Sequence, residues 1–292
     1  MVGEFFVKQT QYDISNPYQS SIKKTERITP EGTDEVRHIV LHVPAASFVY
    51  VEGQSIGVLV PGPHEFGNDY HHRLYSIASS RRGEEGHNTE ISICVRRCYY
   101  IDEVSGERYP GVASNFLCDR RSGDEVHITG PHGRHFIVPR DNTANLLMVG
   151  TGTGIAPFRA FIKHIFEEEK EWIGKVRLFY GARTGLDLLY HNDLNNDLSH
   201  YYDTETFKAF EALSSRPAFE DAADLGRKLT ENAADVWELM QDPKTHVYVA
   251  GLRKSSESLD RAMAHIAGSE EAWLRKKREL YLQDRWAEHL YD

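Results

Sequence analysis

The sequence is poor in cysteine, in positive charge and in long apolar runs. Its 292 residues include only three cysteines, Cys94, Cys98 and Cys118. So sparse and odd a set builds no disulfide framework and points to a reducing, cytoplasmic setting. Three thiolates also fall short of a four-cysteine iron–sulfur site, so no metal site is expected. Cys94-x-x-x-Cys98 lies on strand-like sequence, which predicts packed thiols. Lys and Arg number 34 against 44 Asp and Glu, a formal net charge of −10. That balance argues against a nucleic-acid binder, which needs a cationic footprint. No apolar run approaches the length of a membrane span. The start, MVGEFFVKQTQYD, lacks a basic region followed by an apolar core, so no signal peptide is expected. Internal repeats and low-complexity tracts are also missing. The positive charge that exists is clustered, at Arg81-Arg82, at Arg120-Arg121 and in the run Arg275, Lys276, Lys277, Arg278. Such runs are usually solvated faces, or else docking patches for an acidic protein.

Two hydrophobic periods divide what is there. Up to about residue 138 the chain reads as short strands separated by Gly, Pro and Asn/Asp clusters. VRHIVLHV (36–43) alternates; QSIGVLV (54–60), RLYSIAS (73–79), EISICVRR (90–97) and EVHITG (125–130) follow. Regular short strands predict an antiparallel barrel or sandwich. From residue 145 the pattern changes to continuous apolar runs, NLLMVG (145–150), KVRLFYG (175–181) and THVYVAG (245–251). Helical stretches at 157–170, 234–240 and 258–267 alternate with them. That alternation predicts a parallel, doubly wound sheet. The junction falls in IVPRDNTA (137–144), giving an expected β-barrel domain at 1–140 and an α/β domain at 141–292.

Four stretches carry chemistry. GTGTGIAPF (150–158) follows an apolar strand and opens a helix. Small residues there let backbone N–H groups approach a pyrophosphate at the positive helix end; an ordinary turn is the alternative. VAGLRKSS (249–256) is a second strand-to-turn, and in an open parallel sheet it brings Gly251 and Leu252 beside Gly152 and Gly154. GVASNFLCD (111–119) ends a loop and starts a short helix, where Ala113, Ser114 and Asn115 either cap the helix or face phosphates. In HHRLYSIASS (71–80), Arg73, Tyr75 and Ser76 fit either an amphipathic strand or a grip on something flat and anionic.

In this order the pieces resemble the plant-type ferredoxin–NADP⁺ reductases. EGQSIGVLVPG (52–62), RLYSIASS (73–80), ISICVRR (91–97), GVASNFLCD, ITGPHG (128–133), GTGTGIAPFRAF (150–161), DLLY (187–190) and the final aromatic carry the resemblance, from about residue 16 onward. NPY (16–18), AGSEEAW (267–273) and the closing RW…Y also resemble the reductase component of benzoyl-CoA epoxidation systems, though without the ferredoxin domain that usually precedes it. The resemblance implies FAD on the barrel, NADP(H) on the α/β domain and electron transfer between NADPH and a one-electron carrier such as ferredoxin or flavodoxin. Alternatives are the reductase component of an oxygenase and a flavin-binding sensor module with weakened turnover.

The resemblance also assigns residues. Arg73 pairs with the FAD pyrophosphate, Leu74 and Tyr75 pack at the isoalloxazine, and Ser76 hydrogen-bonds near its N5. Cys94, Val95 and Arg96 line the adjacent strand, Tyr100 stacks on adenine, Val112, Ala113 and Ser114 hold the pyrophosphate, and Thr151 lies close to the flavin. Tyr291 covers the ring where nicotinamide must go. Gly152, Thr153, Gly154, Arg183, Gly251 and Leu252 receive NADP(H), with Ser215 and Arg216 at its 2′-phosphate. The catalytic set is Ser76, Tyr291, Glu288 and His289. Three departures from the family pattern stand out: Ala250 in place of Cys, His289 in place of Glu, and Asp292 after the terminal aromatic. The family's Lys and Tyr near the 2′-phosphate fall at Ala222 and Asp224, with Arg227 or Lys228 as substitutes.

Overall fold

The structure is a computed structural model that describes residues 14–44, 46–62, 67–102, 104–169, 172–198, 206–214 and 224–291. Six antiparallel strands come first: β1 (Tyr18–Arg27), β2 (Val36–His42), β3 (Ser55–Pro61), β4 (Tyr70–Ser76), β5 (Glu90–Arg96) and, after an excursion, β8 (Glu125–His132). They run in the order β4-β3-β8-β1-β2-β5, and a bridge between Ile77 and Ile93 links the β4 edge to the β5 edge and closes the barrel. Alternation explains the closure. Ile39 and Leu41 on β2, Ile56 and Val58 on β3 and Ile91 and Ile93 on β5 share one interior cluster. The excursion holds an exposed ribbon, β6 (Tyr99–Ile101) and β7 (Arg108–Pro110), and a short helix, α1 (Val112–Cys118).

The second half is a five-stranded parallel sheet. Its strands are β9 (Asn145–Thr151), β10 (Val176–Ala182), β11 (Phe207–Leu213), β12 (Thr245–Leu252) and β13 (Trp286–Tyr291), in the order β11-β10-β9-β12-β13. Helix α2 (Ile155–Lys163) covers one face; α3 (Leu225–Glu231), α4 (Ala233–Gln241), α5 (Arg253–Ile266) and α6 (Glu270–Leu282) cover the other. Burial on both faces is why β9 reads as a continuous apolar run: Leu146 and Met148 pack toward α2, Leu147 and Val149 toward α3–α6.

The α2-side core is continuous with barrel residues Ile28, Val36, Ala78 and Cys94, so the two halves share apolar contact. Arg159 of α2 is embedded in it. It donates to Ala78 O at 2.8 Å, to both Glu84 oxygens at 2.6 and 3.0 Å and to Asp197 at 2.5 Å. Beside it, His38 Nδ1 lies 2.9 Å from Tyr190 Oη. The basic run 275–278 is largely neutralised: Arg275 pairs with Glu271 and Lys276 with Glu279 within α6, and Lys277 pairs with Asp260 of α5. It is a solvated, paired face.

Two expectations need adjusting. The helix expected over 157–170 starts at Ile155, and its end, His164–Glu169, winds as a π-helical turn. Cys94 and Cys118 are packed thiols, but Cys98 is exposed, because β5 ends at Arg96 and the chain turns outward.

Candidate functional site

The barrel side of the site is built from the ends of β4 and β5 and from α1. On β4, Arg73 is exposed and makes no hydrogen bond or ion pair among the described residues. The Ser76 hydroxyl is likewise unpartnered. Tyr75 is half-buried against the barrel core, and burial raises its phenol above the ordinary range, with Cys98 and Cys118 as further causes. Leu74 is 37% exposed. This strand therefore offers an unspent cation, a partly buried ring and a free hydroxyl within four residues.

On β5, Cys94 and Val95 are buried, so their side chains serve packing and only their backbone can face a ligand. Burial pushes the Cys94 thiol up to about 12 despite a hydrogen bond with Tyr190, which makes it inert. Arg96 is exposed and paired with Asp34. Tyr100 is 55% exposed and stacks on Tyr109 at 5.5 Å. Helix α1 begins at Gly111 with no side-chain cap, so the N–H groups of Val112, Ala113 and Ser114 have no intrahelical acceptor. Two residues the motif reading passed over or left unassigned fix this helix. Asn115 Nδ2 donates to Cys98 O at 2.8 Å and to Gly111 O at 2.9 Å, and Arg97 donates to Asn115 Oδ1 at 3.0 Å. The Ser114 hydroxyl accepts from Cys98 N at 3.1 Å. A free arginine, an uncapped helix start and an exposed aromatic ribbon fit a dinucleotide with a diphosphate and an adenine.

The α/β side lies where the strand order reverses. From β9 the chain adds β10 and β11 on one side, then crosses over to place β12 and β13 on the other. The crevice beyond the carboxyl ends of β9 and β12 is therefore the topological switch point. Glycine is required there. Gly152 has φ +53°, and at Gly154 a Cβ would lie 2.3 Å from Ala250 O. At Gly251, with φ +128°, it would strike Thr151 Oγ1 at 2.5 Å. The Thr151 hydroxyl accepts from Leu252 N at 3.2 Å and lies 2.9 Å from Ser255 Oγ, tying the two turns together. Space above Gly152 is open, its nearest neighbour being Tyr291 Oη at 3.6 Å from the ideal Cβ position.

Tyr291 closes the crevice. Its hydroxyl lies 2.8 Å from Thr153 Oγ1 and donates to Thr151 O at 3.3 Å. Burial is the main cause of its raised pKa, and Cys94 and Arg96 of the barrel also act on it, so the last strand reaches the seam between the halves. His289, two residues earlier on the same face, stacks on Phe136 at 4.1 Å and 17°. Burial lowers its pKa to about 4, leaving a neutral imidazole near neutral pH. Glu288 points to the opposite face, where Oε1 accepts from Trp286 Nε1 at 2.6 Å and sits 3.5 Å from Lys277. Strand alternation separates it from Tyr291.

For the phosphate end of a coenzyme, Ser215 and Arg216 lie outside the described residues, as does Ala222. Arg183 Nε is 3.8 Å from Asp187. Asp224 caps α3, accepting from Arg227 N at 3.2 Å and Nε at 2.9 Å, so its charge is already matched. Arg227 also binds Glu231, and Lys228 binds Glu231 at 3.4 Å.

A barrel with an uncapped helix start, joined to a parallel sheet with a glycine turn at its switch point, is the arrangement of a flavin–nicotinamide oxidoreductase, and that is the class this fold defines. Comparison with known proteins agrees. The family profile described as "Oxidoreductase NAD-binding domain" matches residues 148–259. The ferredoxin–NADP reductase of Spirulina sp is 36% identical over 287 residues, covering 96% of this chain and 97% of that one. The chloroplastic leaf isozyme 1 from Arabidopsis thaliana is 36% identical over 288 residues, covering 96% and 79%. Among solved structures, ferredoxin–NADP⁺ reductase from Plasmodium falciparum superposes with a TM-score of 0.71 at 21% identity, covering 96% of this chain and 98% of that one, and shares the fold. This chain belongs to the ferredoxin–NADP reductase family. Among the described residues no helix is long and apolar enough to cross a membrane.

Proposed function

We propose that this protein passes electrons between NADPH and a ferredoxin, using FAD held by a barrel domain that ends near residue 140 and NADP(H) held by the α/β domain. The observation that carries the reading is the switch point itself: a glycine turn with open space over Gly152, covered by an aromatic from the last strand. FAD, when bound, supplies the conversion between a two-electron donor and a one-electron acceptor. The protein's residues do the rest. Arg73 and the free N–H groups of α1 hold the diphosphate, Tyr75 offers a ring face, and the Ser76 hydroxyl donates a hydrogen bond to the reacting edge. Thr153 and Thr151 hold Tyr291 across the crevice, where it excludes water until nicotinamide takes its place.

NADP(H) is the coenzyme that the relatives' names carry, and a structure of the Plasmodium protein contains 2′P-AMP. Asp224 poses little obstacle to a 2′-phosphate, because Arg227 already neutralises it. Three free thiols suit a reducing, cytoplasmic setting. The test has two parts. Denatured protein should release FAD, and the intact enzyme should transfer electrons from NADPH to ferredoxin. Release of FMN, or no flavin, contradicts the assignment. Faster turnover with flavodoxin or an oxygenase component than with ferredoxin overturns the choice of partner.

A further inference from the structure

Where the barrel meets the end of α2 lies a cluster of ligand-type side chains that the redox reading does not use. Glu52 comes from the loop before β3; His164 and Glu168 come from the π-helical turn that extends α2. One atom from each, a ring nitrogen and two carboxylate oxygens, all lie within 4.8 Å of one another. His164 Nδ1 is 2.8 Å from Glu168 Oε2 and 3.7 Å from Glu52 Oε1. The side chains are deeply buried, with exposures of 0% for Glu52, 6% for His164 and 7% for Glu168. Glu168 Oε1 is buried with no hydrogen-bond partner. Buried polar atoms nearly always have one, and an orphaned carboxylate oxygen is costly.

We propose that Glu52, His164 and Glu168 form a divalent transition-metal site, of the Zn²⁺ class, that clips the barrel to the α/β domain. One imidazole and two carboxylates are a donor set that suits such an ion, with water completing the shell. At bond lengths of about 2.0–2.2 Å, tetrahedral donors sit about 3.3 Å apart. The observed 2.8 and 3.7 Å separations bracket that spacing. His164 and Glu168, four residues apart, share one side of their turn, and π-helical turns are frequent at functional sites.

Arg81 is the resident counter-charge. It donates to Glu52 Oε1 from its backbone N–H at 2.6 Å and to Oε2 from Nη2 at 2.5 Å. Its side chain is 41% exposed, so the guanidinium can swing into water while the backbone bond stays. Arg82, 3.8 Å from Glu168, is 67% exposed and equally free to leave. The ion and the Arg81 guanidinium therefore compete for the same carboxylate.

That competition gives the test a direction which a purely structural cluster does not share. Zn²⁺ is titrated calorimetrically into the tag-free full chain, its Glu168→Gln variant and its Arg81→Ala variant, and melting is followed with and without Zn²⁺. The parent should show one saturable site and a higher Tm with Zn²⁺. Glu168→Gln should weaken binding roughly tenfold or more. Arg81→Ala should tighten it severalfold. Absence of saturable binding to the parent overturns the proposal. Equal affinity in Glu168→Gln also does, because the ion then sits on other His or Cys side chains. Weaker binding in Arg81→Ala leaves the cluster a plain ion-pair network. If Glu168→Gln does not fold, the Arg81→Ala result decides.

Discussion

Hydroxyl bonds to Thr153 and Thr151 tie Tyr291 over the glycine turn, and the proposed function gives its ring the place that nicotinamide must take. An aromatic stack is worth about 0.5–1.5 kcal/mol, so a nicotinamide that must displace it loses a comparable amount. Tyr291→Ser should therefore bind NADP⁺ severalfold more tightly and strengthen the charge-transfer band in a spectral titration. An unchanged affinity and spectrum would place the nicotinamide elsewhere. The neighbours of Tyr291 were less legible in the sequence. Chain order puts Glu288 and His289 side by side, yet the pleat sends them to opposite faces. Only His289 shares the face of Tyr291, and its stack on Phe136 joins residues far apart in sequence, a contact no local pattern encodes.

Among the elements, the turn after β9 was the most readable, because its glycines answer local steric demands. At Gly154 the obstruction is backbone: a Cβ would lie 2.4 Å from the Ala250 carbonyl carbon, which has no rotamer to yield. Gly154→Ala should cost on the order of 1–3 kcal/mol of stability by overpacking. It should also raise KM for NADPH while the flavin content stays at the parent level. A normal KM would show that the turn does not receive the coenzyme. The sequence pattern leaves β1, β6, β7, β11, β13, α3 and α6 without an expectation, and for four of these strands the reason is identifiable. β1, YQSSIKKTER, is polar and buries only alternate positions such as Ser20 and Ile22. β11, FKAFEAL, is rich in helix formers but pairs along all seven residues with β10, so sheet pairing outweighs propensity. The β6–β7 ribbon is three residues per strand, too short for periodicity to register. The strands with alternating or continuous apolar runs were legible because burial on one or both faces dictates those patterns.

Across the whole molecule, what joins the halves is partly charged, and the sequence could not show it. Arg159 sits inside GTGTGIAPFR, where the motif draws attention to phosphates, yet it pairs with Glu84 across the interface and with Asp197 of its own half. This seam makes stability depend on pH. Burial, and then Arg159, lowers the His38 pKa from 6.5 to about 4, and burial does the same to His289. Between pH 6.5 and 4 the unfolded chain takes up these protons and the folded one does not, so stability falls as pH falls. The loss by pH 4 is on the order of 3 kcal/mol for each histidine. Burial alone would raise the Glu84 carboxyl, but attraction to Arg159 outweighs it and holds the pKa at about 2, from an ordinary 4.5. Its contribution is complete above pH 4.5 and is lost only as pH falls from there toward 2. Thermal melts from pH 7 to pH 4 should therefore show Tm falling steadily well before carboxylates titrate. A flat Tm down to pH 5 would contradict the buried, neutral histidines.

The claim that two dinucleotide sites meet at one crevice is tested most directly by anaerobic stopped-flow mixing of the purified protein with NADPH and, separately, with NADH. The flavin absorbance should bleach in a single mixing with NADPH, and more slowly with NADH at equal concentration. A protein that carries flavin but is bleached by neither coenzyme, or faster by NADH, would contradict it.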